Sequence, residues 1–144
     1  MRPMDSGGQL RALGRMERRA LQFAVFLAAC VPGAAGAAGA VWGARAFGQW
    51  PGAGADSHFR YLSGLLMGLG LAFWACIPAI ERRGGVFGVL TFLVVVGGLA
   101  RLAGIVLVGD PGRMRWALIM ELGVAPLMCL WQGRVAKHQT AANQ

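Results

Sequence analysis

Residues 86–108 read VFGVLTFLVVVGGLARLAGIVLV, an apolar stretch that contains a single charged residue, Arg101. A transmembrane α-helix needs about 20 predominantly apolar residues to cross the hydrocarbon core of a bilayer. The stretch follows a polar turn at 81–85 and ends at Gly109-Asp110-Pro111-Gly112, whose Gly and Pro residues are typical of a turn. The sequence therefore predicts a membrane-spanning helix at residues 86–108.

Three further apolar runs predict helices of the same kind, at about residues 20–44, 58–80 and 114–132. Four spans joined by short loops predict an all-α integral membrane protein, packed as an up-down antiparallel four-helix bundle. The predicted organisation has three parts: a basic cytoplasmic segment at 1–19, the transmembrane domain at 20–135 and a disordered cytoplasmic tail at 136–144.

The composition supports lipid as the surrounding solvent. Hydrophobic residues make up 56% of the 144 residues and charged residues 14%, whereas soluble domains carry about 25% charged residues. The 23 glycines suit helices that approach one another closely in a membrane. The net charge of +8 does not indicate nucleic-acid binding, because the basic residues cluster at the ends of apolar runs without an aromatic platform.

The distribution of basic residues predicts the orientation, since cytoplasmic loops are enriched in Lys and Arg. With the N-terminus inside, the cytoplasmic side carries Arg2, Arg11, Arg15, Arg18, Arg19, Arg82, Arg83, Arg134 and Lys137. The opposite side carries only Arg45, Arg60, Arg113 and Arg115. This bias predicts a multi-pass protein of the bacterial cytoplasmic (inner) membrane with both termini in the cytoplasm.

The start of the chain leaves alternatives open. Residues 1–19 suit either a short helix on an anionic leaflet or an extension of the first span, after a disordered start that includes Ser6, Gly7 and Gly8. The Ala-x-Ala triplets at 35–37 and 38–40 resemble a signal-peptide cleavage site. Because the run stays apolar through Trp42, an uncleaved span is favoured.

Small residues mark the predicted contact faces of the first two spans. Gly39 and Gly43 have the GxxxG spacing that brings helices together in membranes. One face of the second span carries residues that recur every four positions: Arg60, Gly64, Gly68, Ala72 and Cys76. The large residues Leu65, Leu66, Leu69 and Phe73 fall elsewhere and are expected to meet lipid. Asp56 or Ser57 is the expected N-cap of that span.

Two charged residues lie well inside apolar runs. Arg101 and Glu121 are each ten residues from Pro111 in the third turn, so antiparallel helices joined there place them at the same depth. An unpaired charge at the centre of a membrane helix costs at least about 2.5–3.5 kcal/mol on insertion scales. The sequence therefore predicts an intramembrane ion pair between Arg101 and Glu121.

Arg60, His58 and Tyr61 enter the bilayer from the outer side at the start of the second span. In a compact bundle they would close over Arg101 and Glu121 and form a polar cluster. Such a cluster would receive a carboxylate, a lipid phosphate, a quinone head group or a proton. The alternative is a hydrogen-bonded network that only holds the helices in register.

Catalytic and metal chemistry find little support. A metal site of Asp56, His58, Asp110 and Glu121 fits no recognised spacing, and the chain has no GxSxG, HExxH or Walker motif. Cys30, Cys76 and Cys129 lie within apolar runs and form no CxxC motif, so reduced, buried thiols are expected. The sequence thus predicts no catalytic residue, no metal and no cofactor.

Several strings resemble a bacterial family known as domain of unknown function 4345. They are Asp56-Ser57-His58-Phe59-Arg60-Tyr61-Leu62-Ser63-Gly64, Ile80-Glu81, Gly97-Gly98-Leu99-Ala100-Arg101-Leu102, Glu121 with Pro126, and Leu130-Trp131-Gln132. The resemblance covers about residues 20–135. It implies a small four-helix membrane protein and supplies no activity, substrate or cofactor.

Small size, short loops and glycine-lined faces favour a non-catalytic accessory or assembly component of a membrane complex. Its expected partners are the lipid bilayer and other membrane subunits or further copies of the chain. The alternatives are a small-molecule transporter, or a binder of a lipid or quinone head group, that uses the outer-side cluster.

Overall fold

The computed structural model describes residues 6–109 and 115–141, which are mainly α-helical. The helices are α1 Ser6–Trp42, α2 Ala53–Cys76, α3 Gly84–Val108, α4 Arg115–Leu118 and α5 Ala125–Ala141. Turns of 3₁₀ helix follow α1 at Gly43–Phe47 and α2 at Ile77–Ala79, and a π-helical segment at Ile119–Val124 joins α4 to α5. No strand occurs in the two described stretches, which confirms the all-α prediction for them.

Four helical stretches are long and apolar enough to cross a membrane, as the sequence predicted: Ala12–Phe47, Ala53–Ala79, Gly84–Val108 and Arg115–His138. Much of their apolar surface is exposed on the isolated chain; Val89, Phe92 and Leu127 are each at least 60% exposed. Hydrophobic side chains of this size, uncovered along whole helices, are expected where lipid replaces water around a protein.

The helices extend further at both ends of the chain than the sequence indicated. Ser6, Gly7 and Gly8 were predicted to be disordered but belong to α1, so the described part of the basic segment continues the first span. α5 runs on to Ala141, although a disordered tail was predicted from residue 136. Helical backbone hydrogen bonds do not depend on lipid, and no Gly or Pro interrupts residues 134–141.

The chain divides into two compact units. The central unit is Phe23–Pro78, and the terminal unit combines the described residues up to Gln22 with those from Ala79 onward. In the central unit α1 and α2 are antiparallel, because Gly33 lies against Trp74, Gly36 against Met67 and Gly39 against Ser63.

Glycines set the separation of α1 and α2. A Cβ at Gly36 would strike the backbone of Ser63 and Met67, and one at Gly70 would lie 2.8 Å from the backbone nitrogen of Gly33. At Gly33 itself, the Trp74 ring lies 3.7 Å from such a Cβ. Trp74 also donates from Nε1 to the Phe26 carbonyl at 3.2 Å. The two backbones approach as closely as the missing side chains allow.

The face of α2 that meets α1 differs from the predicted one. Within the described residues, no atom lies within 4 Å of a Cβ built at Gly64 or Gly68, whereas Ser63 and Gly70 are buried. Adjacent helix residues are separated by about 100° around the axis. The face that contacts α1 therefore includes Ser63 and is rotated by about one residue from the face that carries Gly64 and Gly68. The face prediction was therefore wrong for Gly64 and Gly68, because α2 carries small residues on two neighbouring faces. At the two ends of the predicted face, Arg60 contacts α1 carbonyls and Cys76 is buried. Phe73, which was expected to meet lipid, is only 8% exposed.

In the terminal unit, α3 lies antiparallel to the helices that follow it. Gly84, at the start of α3, lies against the side chain of Gln132, whereas Gly98 further along lies against Glu121 and Leu122. Gln132 donates from Nε2 to the Ile80 carbonyl at 2.8 Å and is 4% exposed. Leu21, Ile80, Phe87 and Val135 are the fully buried apolar residues of this unit.

The α1–α2 contact can be tested with two glycine-to-alanine variants. Gly36→Ala places a Cβ against α2 backbone, which cannot move as a side-chain end can, and we expect a loss of about 1–3 kcal/mol in unfolding free energy. The matched control, Gly68→Ala, adds the same atom where space is open and should lose nothing. Thermal and denaturant unfolding in detergent measure both, and equal losses would contradict the assigned contact face.

Candidate functional site

Arg101 of α3 and Glu121 of the π-helical segment contact each other through two hydrogen bonds. Arg101 donates from Nε to Oε2 and from Nη2 to Oε1 of Glu121, each at 2.9 Å. Their side chains are 33% and 19% exposed. A bidentate arginine–carboxylate contact is shorter and stronger than one between neutral groups.

The absence of a side chain at position 98 permits this contact. A Cβ built on Gly98 would lie 2.9 Å from Cβ of Glu121 and 2.8 Å from a methyl group of Leu122. Gly98 is also buried and precedes Arg101 by three residues, so it lies on the same face of α3. The glycine lets the π-helical segment come near enough for the guanidinium to reach the carboxylate.

Glu121 lies in the one part of the fourth span that departs from α-helical geometry. The Ala125 N–H donates to the Met120 carbonyl, five residues back, within the segment Ile119–Val124. Pro126 follows directly; it has no N–H, and in a regular α-helix its ring would clash with the carbonyl of residue 122. Wider turns before a proline relieve that clash, and π-helical turns occur frequently at functional sites.

Arg60 and Asp56 form a second charged contact, in the central unit. Arg60 Nε donates to Asp56 Oδ2 at 2.8 Å, and Arg60 Nη1 donates to the carbonyls of Ala40 and Val41 at 3.1 and 2.6 Å. The other Asp56 oxygen, Oδ1, accepts from the Ala44 N–H at 3.0 Å. The pair thereby satisfies backbone groups at the C-terminal end of α1, where carbonyls lack helical partners.

These contacts correct the predicted N-cap of α2. The helix begins at Ala53, and Gly52 precedes it without a side-chain capping hydrogen bond. Asp56 lies within the first turn and accepts from the Ala44 N–H in the 3₁₀ turn after α1 instead, and Ser57 is exposed. The backbone at Gly43, with φ of +67°, brings the chain past Asp56 and Arg60, where a Cβ would clash with both side chains.

His58 and Tyr61 lie on the exposed side of α2, away from this contact. Their ring centroids are 6.5 Å apart, and Tyr61 is 63% exposed. Of the five predicted cluster residues, the structure pairs Arg101 with Glu121 in the terminal unit. The other three lie near the start of α2 in the central unit, where Arg60 contacts the end of α1 and the rings of His58 and Tyr61 are exposed. Their union in a single pocket stays a prediction.

A third charged group was not anticipated from the sequence. In the terminal unit, Arg18 Nε lies 3.0 Å from Glu81 Oε2. Glu17 Oε1 accepts from Trp131 Nε1 at 3.3 Å and lies 3.7 Å from Arg134 Nε. Sequence reasoning used Arg18 and Arg134 only as markers of orientation. The signal that would have found the group is the presence of two isolated acids, Glu17 and Glu81, among many arginines.

Every carboxylate side chain in the described stretches is therefore paired with an arginine. The four pairs are Glu17 with Arg134, Asp56 with Arg60, Glu81 with Arg18, and Glu121 with Arg101. Over the same residues, no fully buried side-chain nitrogen or oxygen lacks a hydrogen-bond partner. Each of the four described carboxylates thus contacts an arginine of the same chain.

The possible metal ligands and the three cysteines can be compared with the predictions made for them. Within residues 6–109 and 115–141, no group of three or more His, Cys, Asp and Glu residues is placed to hold a metal ion. Asp110, one member of the conceivable metal set, lies outside the described residues. Cys30, Cys76 and Cys129 form no disulfide bond in the described residues. Buried thiols were expected at all three positions; Cys76 is buried, whereas Cys30 and Cys129 are only partly buried.

The family model described as Domain of unknown function (DUF4345) matches residues 20–132. The match includes both the Arg101–Glu121 and the Asp56–Arg60 contacts. No curated protein and no solved structure matches the chain.

A double-mutant cycle measures the Arg101–Glu121 contact. Arg101→Ala or Glu121→Ala leaves one partly buried charge without its partner, which costs about 3–5 kcal/mol for buried pairs in soluble proteins. The double variant should be at least as stable as the less stable of the two single variants. The swap Arg101→Glu with Glu121→Arg should recover part of the lost stability. Unfolding in detergent measures each variant.

The control for this cycle is Arg82→Ala, which removes an exposed arginine from the turn between α2 and α3. It should change stability by no more than about 0.5 kcal/mol. Additive losses in the Arg101/Glu121 double variant would show that the two residues stabilise the protein independently and would refute the coupling.

Proposed function

The chain belongs to the DUF4345 family, and from that premise we propose that it is a non-catalytic accessory or assembly component of a complex in the bacterial cytoplasmic membrane. The observation that carries the proposal is the pairing of all four described carboxylates with arginines. A carboxylate that acts as a general acid or base must be able to reach substrate. Each of the four described carboxylates is instead engaged by an arginine side chain of the same chain.

The same observation weighs against proton-coupled transport. A carboxylate that carries protons must be accessible, so that it can release and accept a proton within each cycle. Glu121 accepts two hydrogen bonds from Arg101. In the proposed membrane setting, this is an intramembrane ion pair that positions α3 against the π-helical segment rather than an exchange site.

The exposed surface supports association within the membrane. Gly64 and Gly68 of α2 have open space around them in the described structure, and small residues let a second helix approach closely. Large apolar residues such as Leu65 are exposed nearby. The proposed partners are transmembrane helices, from other subunits or from another copy of this chain.

Native mass spectrometry of polymer-bounded membrane discs tests the proposal. The tagged chain, expressed at its native level, should appear in a particle of fixed stoichiometry that contains at least one further protein subunit. The charge-swapped Arg101→Glu, Glu121→Arg variant is the control, because a pair that only holds helices together permits assembly after reversal. A lone chain that retains a quinone, and loses it in the swap, would favour the head-group binder instead.

The proposed orientation places both termini in the cytoplasm and the loop at residues 48–52 outside. An alkaline phosphatase fused after Gln144 should therefore be inactive, and one fused after Gln49 should be active, because the enzyme folds only in the oxidising periplasm. A fluorescent reporter that needs the cytoplasm should give the opposite pattern at the same two points. Active phosphatase after Gln144 would reverse the orientation.

A further inference from the structure

α5 carries an open groove at its C-terminal end. The groove has a volume of about 450 Å³ and is lined by Cys129, Leu130, Gly133, Arg134, Lys137 and His138. It exists because α5 continues beyond the apolar run and holds the tail residues in helical register. All of its lining residues belong to the terminal unit.

The lining changes from apolar to basic along the helix. Leu130 is 72% exposed, and Leu127, one turn earlier, is 65% exposed. Arg134, Lys137 and His138 follow at spacings of three and four residues, which place them on one face. The Arg134 side chain is 73% exposed, and Lys137 is also exposed. An amphiphile with an anionic head and an apolar tail matches this order.

The surroundings of the groove add positive charge. The contacts of Glu17 with Trp131 and Arg134, and of Arg18 with Glu81, bring the start of α1 and the turn before α3 to this end of α5. Residues 15–19, 81–83 and 134–137 of these segments carry seven basic residues: Arg15, Arg18, Arg19, Arg82, Arg83, Arg134 and Lys137. Only Glu17 and Glu81 oppose them, so the region has a surplus of five positive charges.

We propose that this groove binds the head group of an anionic phospholipid. The lipid phosphate contacts Lys137 and Arg134, and an acyl chain lies along Leu130 and Leu127. Membrane-adjacent Lys and Arg residues attract anionic lipids, and the exposed leucines give a lipid an advantage over a soluble anion. The site is separate from the Arg60, His58 and Tyr61 group and does not depend on the proposed assembly role.

Lipid titration by native mass spectrometry of the full chain in detergent tests the site. Palmitoyl-oleoyl phosphatidylglycerol should bind more tightly than the phosphatidylcholine with the same acyl chains. Lys137→Gln should weaken phosphatidylglycerol binding about fivefold, the effect of one basic residue near a membrane surface. It should leave the melting temperature unchanged, because Lys137 is exposed.

The matched control is Arg45→Gln, which removes one positive charge beyond the C-terminal end of α1 and should preserve phosphatidylglycerol affinity. An equal loss in this variant would assign binding to overall charge and overturn the site. Equal affinity for the two lipids, or displacement of phosphatidylglycerol by an equal concentration of inorganic phosphate, would also overturn it. Leu130→Ser should weaken binding of both lipids, and unchanged binding would refute the acyl-chain contact.

Discussion

A guanidinium that lies among apolar side chains needs hydrogen-bond acceptors, because an aliphatic side chain does not replace the water that the guanidinium loses. Arginine contacts of this kind occur where helices meet within each of the two units. Arg101 of α3 donates to Glu121, Arg60 donates to Asp56 and to two α1 carbonyls, and Arg18 donates to Glu81 across a separation of 63 residues. Each of these arginines therefore connects two elements that are separate in the sequence.

Glycine and charge act together in both units. The lack of a side chain at Gly98 lets Glu121 come close enough to contact Arg101. In the same way, Gly43 leaves space for the Asp56–Arg60 pair beside the end of α1. In each case a Cβ would occupy the space that the charged side chains need. Each charged contact therefore depends on the close approach that its glycine permits. A side chain larger than glycine at either position would disturb the charged pair as well as the packing.

The sequence was sufficient for the features that depend on hydrophobic length and on symmetry about a turn. Four runs of adequate length predicted four candidate spans, and equal distances from Pro111 placed Arg101 and Glu121 at one depth. The contact face of α2 was not predictable in the same way. Small residues occur on two adjacent faces there, and the choice between Ser63 and Gly64 depends on the partner helix, which the α2 sequence does not contain.

The π-helical segment and the role of Asp56 escaped sequence reasoning for a related reason. Pro126 indicated a disturbed helix, but a kink and a widened turn have the same local signature. Asp56 is a residue type that favours N-caps, yet its two oxygens accept from the Ala44 N–H, in the turn after α1, and from Arg60, one turn later in α2. Ala44 lies 12 residues before Asp56, so a local window around the start of α2 does not reveal this contact.

The string at 56–64 separates into residues with different physical roles. Asp56, Arg60 and Ser63 lie at intervals of four and three residues and face α1, where their contacts account for them fully. Packing gives no comparable reason for His58 and Tyr61, whose side chains are exposed and lie near each other on the other side of the helix.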